Sequence, residues 1–268
     1  MNKPVVLTIA GSDPTGGAGI QADLKTFAAH GVHGASVVSV LTAQNAKRFE
    51  LFAVPPTFLS TQIEAVFEAF DIKAIKIGML GNSAAVTCVI EELWRFNSQR
   101  EIPVVLDPVL KASNGGGELE EEGVDLLRSQ LLPLCTLVKP NLYEAAMLLN
   151  EPEAETKEQM SEQAQRLGRR YQLSVLLSGG HLSGSDALDI LFYQPDGEIH
   201  SLSQKKQEKR QVHGTGCTLT SAIAANLAKG LDLPQATEQA KDWLSKLMEE
   251  NKQIDQSDQI VSLGHSRA

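Results

Sequence analysis

Short apolar runs rich in β-branched residues alternate along the chain with amphipathic stretches of helical periodicity. The apolar runs predict buried strands at Val5–Ala10, Ala35–Leu41, Ile72–Ile77, Val104–Leu106, Thr136–Val138 and Ser174–Leu177. The stretches between them predict helices at Ile20–His30, Phe58–Phe70, Ala84–Phe96, Val124–Leu131, Leu142–Leu149 and Lys157–Arg170. Strands that are apolar on both faces and separated by helices indicate a parallel sheet covered on both sides.

The pattern changes in the last third of the chain. Ala187–Tyr193 and Glu198–Ser203 flank a Gln-Pro-Asp-Gly turn signal, which predicts an antiparallel hairpin. Two further helices are predicted at Thr218–Ala228 and Gln235–Glu249, and the residues from Asn251 onward have little periodicity and are expected to fray.

The composition is that of a globular protein with a substantial core. The chain has 268 residues, of which 42% are hydrophobic, and neither an internal repeat nor a linker divides it. We therefore predict a single α/β domain over residues 1–268. The net charge of −9 argues against nucleic acid as a partner. It leaves phosphate ligands open, because backbone amides and a metal can hold phosphates inside an acidic protein.

Cysteine usage and hydropathy bear on the compartment. The three cysteines, Cys88, Cys135 and Cys217, are too few and too scattered for a disulfide framework or a metal site, which favours a reducing environment. No apolar stretch approaches the length that spans a bilayer, and Val5–Ala10 is shorter than the core of a signal peptide. We expect a cytoplasmic protein with no membrane partner.

A glycine-rich segment, residues 11–19, directly follows the first predicted strand and reads GSDPTGGAG. Glycines at a strand-to-helix turn let the backbone approach a ligand closely and leave amides free at the helix start. The segment matches neither the dinucleotide fingerprint nor the Walker pattern. Taken alone, it is as consistent with a ligand-free turn as with a binding loop.

A second glycine motif, residues 213–217, reads HGTGC and comes just before an amphipathic helix. Successive free amides at a helix N-terminus attract an anion, and the helix dipole adds to this attraction. Cys217 falls in the first turn, where the thiol pKa is expected to drop from about 8.5 toward neutrality. The alternative is a tight turn followed by a small buried cysteine.

Carboxylates follow two of the predicted strands. Asn141 and Glu144, three residues apart at a helix start, can present a carboxylate to a hydrated magnesium ion or simply form a capping box. Asp107 ends the strand Val104–Leu106, and the carboxyl ends of parallel strands are where ligands of such sheets bind.

Taken in order, these segments resemble the motifs of hydroxymethylpyrimidine/phosphomethylpyrimidine kinases, members of the ribokinase-like superfamily. The matching segments are AGSDPTGGAGIQADLK at 10–25, AQN at 43–45, KIGML at 76–80, DPV at 107–109, PNLYE at 140–144, GGH at 179–181 and HGTGCT at 213–218. The resemblance implies a ribokinase-like α/β fold with a mostly parallel central sheet, helices on both faces and a C-terminal antiparallel hairpin.

The resemblance also implies an activity. The expected reaction is ATP-dependent phosphorylation of 4-amino-5-hydroxymethyl-2-methylpyrimidine, and then of its monophosphate, in thiamine biosynthesis. ATP and Mg²⁺ would be the cofactors, and the protein would be a homodimer.

Site residues follow from the same resemblance. The substrate pocket would be lined by Gly11, Asp23, Gln44, Met79 and Val109. The Gln44 amide can donate and accept side by side, which matches an aminopyrimidine edge, although a solvated loop residue would look the same.

The remaining roles concern the nucleotide. Nucleotide contacts are expected from Asn141, Thr215 and His181, and magnesium with its waters from Glu144 and Asp107. The anion hole is expected from Gly214, Gly216 and Cys217, with Cys217 at the position where other ribokinase-like enzymes carry an aspartate base.

Three departures from the family pattern concern ATP. Ser178 stands where a lysine is common, Val212 stands where threonine is usual, and Lys111 offers a charge in a loop where small residues are frequent. Two other interpretations stay open: a pyridoxine/pyridoxal kinase of the same fold, and a catalytically idle ligand-binding protein built on it.

Overall fold

The computed structural model describes residues 3–45, 48–97, 101–111, 117–180, 186–205, 212–250 and 261–262. Its strands are β1 (Val5–Ser12), β2 (His33–Asn45), β3 (Arg48–Ala53), β4 (Ile72–Ile77), β5 (Val104–Leu106), β6 (Leu137–Val138), β7 (Ser174–Ser178), β8 (Asp186–Tyr193), β9 (Glu198–Lys205), β10 (Val212–His213) and β11 (Val261–Ser262). Its α-helices are α1 (Gly19–Ala29), α2 (Pro56–Ala69), α3 (Ser83–Asn97), α4 (Glu121–Leu126), α5 (Leu142–Leu149), α6 (Lys157–Tyr171), α7 (Thr215–Ala228) and α8 (Leu233–Glu250).

One nine-stranded sheet runs in the order β3-β2-β1-β4-β5-β6-β7-β8-β9. Strands β2, β1, β4, β5, β6 and β7 are parallel to one another, whereas β3, β8 and β9 pair antiparallel with their neighbours. From β1 the chain adds β2 and β3 on one side, and it then crosses back to add β4 and the later strands on the other side. The strand order therefore reverses between β1 and β4. The predicted fold, including the hairpin of β8 and β9, is confirmed; the single domain over 1–268 stays a prediction.

Two apolar layers cover the sheet. Helices α2 to α6 pack on one face, and α1, α7 and α8 pack on the other. Strand β4 shows how the sequence serves both layers: Ile75 and Ile77 belong to the first, and Ala74 belongs to the second. No helix in the described ranges combines the length and apolar character needed to cross a bilayer.

The edge of the sheet differs from the sequence prediction. Strand β2 continues to Asn45, beyond the predicted end at Leu41, and β3 was not predicted at all. Most of β3 is exposed, including Phe52 at 67%, because an edge strand beyond the helical layers buries little of either face. It therefore lacks the apolar pattern of a buried strand.

Two other elements also depart from the prediction. The helix expected over Val124–Leu131 stops being α-helical at Leu126 and continues as a π-turn and a 3₁₀-turn that contains Pro133, a residue without the N–H that an α-ladder requires. In the tail that was expected to fray, β11 pairs in parallel with β10.

Candidate active site

A cavity of about 480 Å³ lies at the carboxyl ends of the parallel strands. It is bordered by Gly11 and Ser12 at the end of β1 and by Met79 just after β4, which is the point where the strand order reverses. Ligands of open α/β sheets bind at such a point, and the volume suits a small molecule.

Most of the predicted site residues border this cavity. They are Gly11, Gln44, Met79, Asp107, Val109, Asn141, Glu144, Gly214, Thr215, Gly216 and Cys217. His181 lies outside the described residues. Asp23 is fully buried and does not border the cavity, so its predicted place in the lining is wrong.

The two glycine segments, ambiguous when read separately, meet in the structure. Gly214 has a φ of +84°, and a β-carbon there would overlap the carbonyl oxygen of Gly17. Gly19 has a φ of +59°, and a β-carbon there would overlap the carbonyl oxygen of Gly11. Only glycine fits such positions without strain. The close approach brings the N-termini of α1 and α7 together at the cavity.

Cys217 lies in the first turn of α7 and borders the cavity. Burial raises the pKa of its thiol to about 11; the charge of Lys76 opposes this shift, whereas Asp23 and Asp107 add to it. The predicted fall toward neutrality is therefore wrong. The helix start is covered by the loop before α1 and faces two carboxylates, so the neutral thiol predominates near pH 7.

Asp23 is buried behind Lys76, a residue that borders the cavity. Its carboxylate pairs with the Lys76 ammonium at 2.9 Å and accepts hydrogen bonds from Thr8 Oγ1 at 2.6 Å and Ser221 Oγ at 2.7 Å. Burial alone would lower the pKa of Lys76, but Asp23, Cys217 and Asp107 outweigh it and raise that pKa above its usual value. Lys76 and Cys217 both border the cavity, so the network holds a fixed cation whose charge acts on Cys217.

Asn141 and Glu144 form the predicted capping box, and their predicted role at magnesium stays a prediction. Asn141 Oδ1 accepts from the Glu144 amide at 2.8 Å, and Glu144 Oε2 accepts from the Asn141 amide at 2.9 Å, which is a capping box. The Glu144 carboxylate also borders the cavity. Burial, together with the charge of Asp107, raises the pKa of Glu144 to about 7, and Lys139 opposes this rise.

Several cavity residues had no predicted role. Lys76 and Lys139 lie near the carboxyl ends of β4 and β6. A lone lysine directly after the apolar run of β6 is a signal that could have pointed to Lys139, whereas Lys76 shares its run with Lys73 and offered no such signal. Asp189 on β8 and Leu244 on α8 offered no such signal. Phe49 belongs to β3, the strand that the sequence did not predict.

Of the three residues that depart from the family pattern, two border the cavity. Ser178 borders the cavity, as does Lys111, whose ammonium is 3.7 Å from Glu118 Oε2. Val212 lies in β10, and its side chain is outside the described part of the structure. Val109 has a φ of +24°, a strained conformation for a β-branched residue that is often found at functional sites.

Similarity to known proteins covers nearly the whole chain. Residues 13–262 match the family described as phosphomethylpyrimidine kinase. The hydroxymethylpyrimidine/phosphomethylpyrimidine kinase of Rhizobium meliloti is 43% identical over 90% of this chain and 88% of its own length. A Clostridium difficile phosphomethylpyrimidine kinase structure has a TM-score of 0.79 at 35% identity, covering 92% of this chain and all of its own.

A second type of kinase has the same fold. An ADP complex of Bacillus subtilis pyridoxal kinase superposes with a TM-score of 0.87 at 30% identity, covering 99% of this chain and 98% of its own. The sequence similarity and the residues that border the cavity point to the same family. The chain belongs to the phosphomethylpyrimidine kinase family.

Proposed function

We propose that this protein transfers the γ-phosphoryl group of ATP to the hydroxymethyl group of 4-amino-5-hydroxymethyl-2-methylpyrimidine, and then phosphorylates the resulting monophosphate. The observation that carries the proposal is that the amides of residues 214–217 border the same cavity as Gln44. A phosphate site and a site for a flat polar ring thus share one small space. The working enzyme is a homodimer in the cytoplasm.

The acceptor ring binds at the β2 side of the cavity. Gln44 addresses the ring amino group, while Met79, Val109 and Phe49 supply the apolar contacts that hold a flat heterocycle. Phe49 comes from the antiparallel edge strand β3, which pairs residue for residue with the end of β2. The hydroxymethyl oxygen then faces the start of α7.

The nucleotide phosphates bind where the N-termini of α1 and α7 converge. The start of α7 has no side-chain cap, so its amides, together with the dipoles of both helices, favour negative charge there. Phosphoryl transfer through a loose transition state depends mainly on positioning and charge stabilisation, so these backbone groups supply most of the catalysis.

Cys217 is the base for the first transfer. Its thiolate, formed from the small ionised fraction and favoured by the Lys76 charge, takes the proton of the attacking hydroxyl. The second transfer starts from a phosphate oxygen that is already ionised and needs no base.

Magnesium fits the donor set beside the phosphates. Asp107 and Glu144 are buried carboxylates whose repulsion appears in the raised pKa of Glu144, and a divalent cation would relieve it. Because Mg²⁺ usually keeps several waters and binds one or two carboxylates together with substrate phosphates, two carboxylates are enough for such a site. Bound there, it would offset the charge of the phosphate oxygens.

An ADP-release assay tests the activity. The protein is expected to release ADP with the hydroxymethylpyrimidine and with its monophosphate, with turnover of about 1–100 s⁻¹. Pyridoxine and pyridoxal are tested in parallel, because the close structural match to a pyridoxal kinase supports that second candidate. Turnover with B6 vitamers alone would favour it, and tight binding without turnover of any acceptor would favour an idle fold.

Glu144→Gln tests the magnesium site. Glutamine can still accept from the Asn141 amide, so the helix cap is kept while the charge is lost. We expect the Mg²⁺ concentration for half-maximal rate to rise about 10- to 100-fold. Glu92→Gln, a buried glutamate outside the cavity lining, is the control and should leave the Mg²⁺ dependence unchanged. An unaltered Mg²⁺ requirement in the Glu144 variant would remove this carboxylate from the site.

A further inference from the structure

The cavity contains a cation with no role in the mechanism above. Lys139 ends the buried segment of β6, and it is only 6% exposed. We propose that Lys139 binds the phosphate groups of the nucleotide, so that its ammonium donates to a phosphoryl oxygen seated at the start of α7. This inference rests on the proposed function, since it takes the anion at α7 to be the nucleotide's phosphates.

The nearest carboxylate attracts the Lys139 ammonium but does not satisfy its hydrogen-bond donors. Its ammonium is 3.6 Å from Asp107 Oδ1, which is an ion pair but too long for a hydrogen bond. This distance separates the ammonium of Lys139 from Asp107, one of the two carboxylates proposed to hold magnesium. An ammonium group has three donors to satisfy, so a buried one with this spacing is suited to an additional anionic partner.

The ammonium faces the anion hole. A β-carbon on Gly216 would lie 3.5 Å from Lys139 Nζ and 3.1 Å from Asp107 Oδ2. The lack of a side chain at Gly216 therefore lets Lys139 and Asp107 come close to the first turn of α7, and all three residues border the cavity. A phosphoryl group in the cavity beside this contact receives backbone N–H groups from α7 and donors from the lysine, and charge-assisted hydrogen bonds of this kind are the strong ones.

Ser178 offers a second position from which to present the same charge. It forms a parallel bridge with Asn141, so the two side chains share one face of the sheet, and Lys139 lies on that face two residues earlier. Residues 139 and 178 both border the cavity. Strand spacing and rise place their β-carbons about 8 Å apart, so lysines at the two positions can reach a common phosphate.

The alternative is that Lys139 serves purely as a counter-ion for Asp107. A counter-ion is needed next to the carboxylate, whereas a phosphate ligand is needed only within reach of the phosphate. Moving the charge from residue 139 to residue 178 separates the two roles.

The experiment compares the wild type with K139M, K139M/S178K and K139R. ADP and adenosine affinities are measured by calorimetry at fixed Mg²⁺, and the KM values for ATP and for the pyrimidine come from ADP release. For K139M we expect ADP affinity to fall and the ATP KM to rise about 10- to 100-fold, with adenosine affinity and the pyrimidine KM nearly unchanged. K139M/S178K should recover most of the ADP affinity, and K139R should retain it.

Two outcomes would overturn the proposal. One is a K139M protein that binds ADP as the wild type does. The other is a double variant that unfolds cooperatively yet stays as weak for ADP as K139M, which is the behaviour of a counter-ion. If K139M alone fails to fold, the double variant and K139R still decide the matter. Because ADP binding requires no acceptor, a failure of the proposed function would appear separately, as a wild type that binds ADP but does not phosphorylate the pyrimidine.

Discussion

Replacing Gly214 with alanine is expected to abolish phosphoryl transfer. The new methyl group would overlap the Gly17 carbonyl, and the backbone at residue 214 has a left-handed φ that alanine adopts poorly. Separating the two glycine segments turns the first amides of α7 away from the cavity. Loss of one preorganised donor costs about 10²–10³-fold in other enzymes, and this change displaces several, so we expect at least about 10³-fold in kcat.

The matched control is Gly230→Ala. Gly230 also has a left-handed φ, +91°, but a β-carbon there would meet nothing within 4 Å. This variant carries the backbone strain without the collision, so it should lose about 1–2 kcal/mol of stability and keep its kcat. Rates measured at saturating ATP and pyrimidine compare the two. A Gly214→Ala protein with wild-type kcat would mean that the contact with Gly17 does not shape the anion site.

Cys217→Ala is expected to lower the rates of the two phosphoryl transfers unequally. The first, onto a hydroxyl, should slow about 10²–10⁴-fold because it loses its base, while the second, onto an ionised phosphate, should change far less. Cys88→Ala, at a buried thiol away from the cavity, is the control and should match the wild type in both steps. Each transfer is followed separately by supplying the alcohol or its monophosphate as acceptor. Equal losses in both would mean that the cysteine shapes the anion hole and moves no proton.

The pH dependence supplies an independent measure of the same base. The pKa of Cys217 is about 11, so below that pH its thiolate fraction grows roughly tenfold for each unit by which the pH rises. The first transfer should therefore accelerate from pH 7 to pH 9 in the wild type, and Cys217→Ala should remove that slope. A first transfer that is flat with pH in the wild type would contradict base catalysis by this thiol.

The parallel core of the fold was predictable, because strands such as Val104–Leu106 are buried on both faces and appear as unbroken apolar runs. The edge was not. Residues 48–53 form β3 through pairing with the end of β2, and their mainly exposed side chains leave no periodic trace in the sequence. That strand contributes Phe49 to the cavity, so part of the substrate wall was hidden for the same reason.

The site was predictable where function depends on the position of a residue in its own strand or loop. Asp107 and Asn141 follow buried segments directly, Gly214 directly precedes α7, and all three border the cavity. Properties that depend on distant neighbours were not predictable. The thiol pKa of Cys217 is governed by burial under the loop before α1, and Asp23 was misplaced because its partners Lys76 and Ser221 come from two other elements.

The hydrogen bond between Ser221 and Asp23 joins residues separated by 198 positions. Contacts between residues so far apart in the sequence form late in folding, because closing a long loop costs entropy before the contact is gained. On the ribosome, the Asp23–Lys76 pair and the first glycine segment emerge well before α7 does. A nascent chain can therefore build much of the sheet while it still lacks a phosphate site, and catalysis begins only when α7 docks.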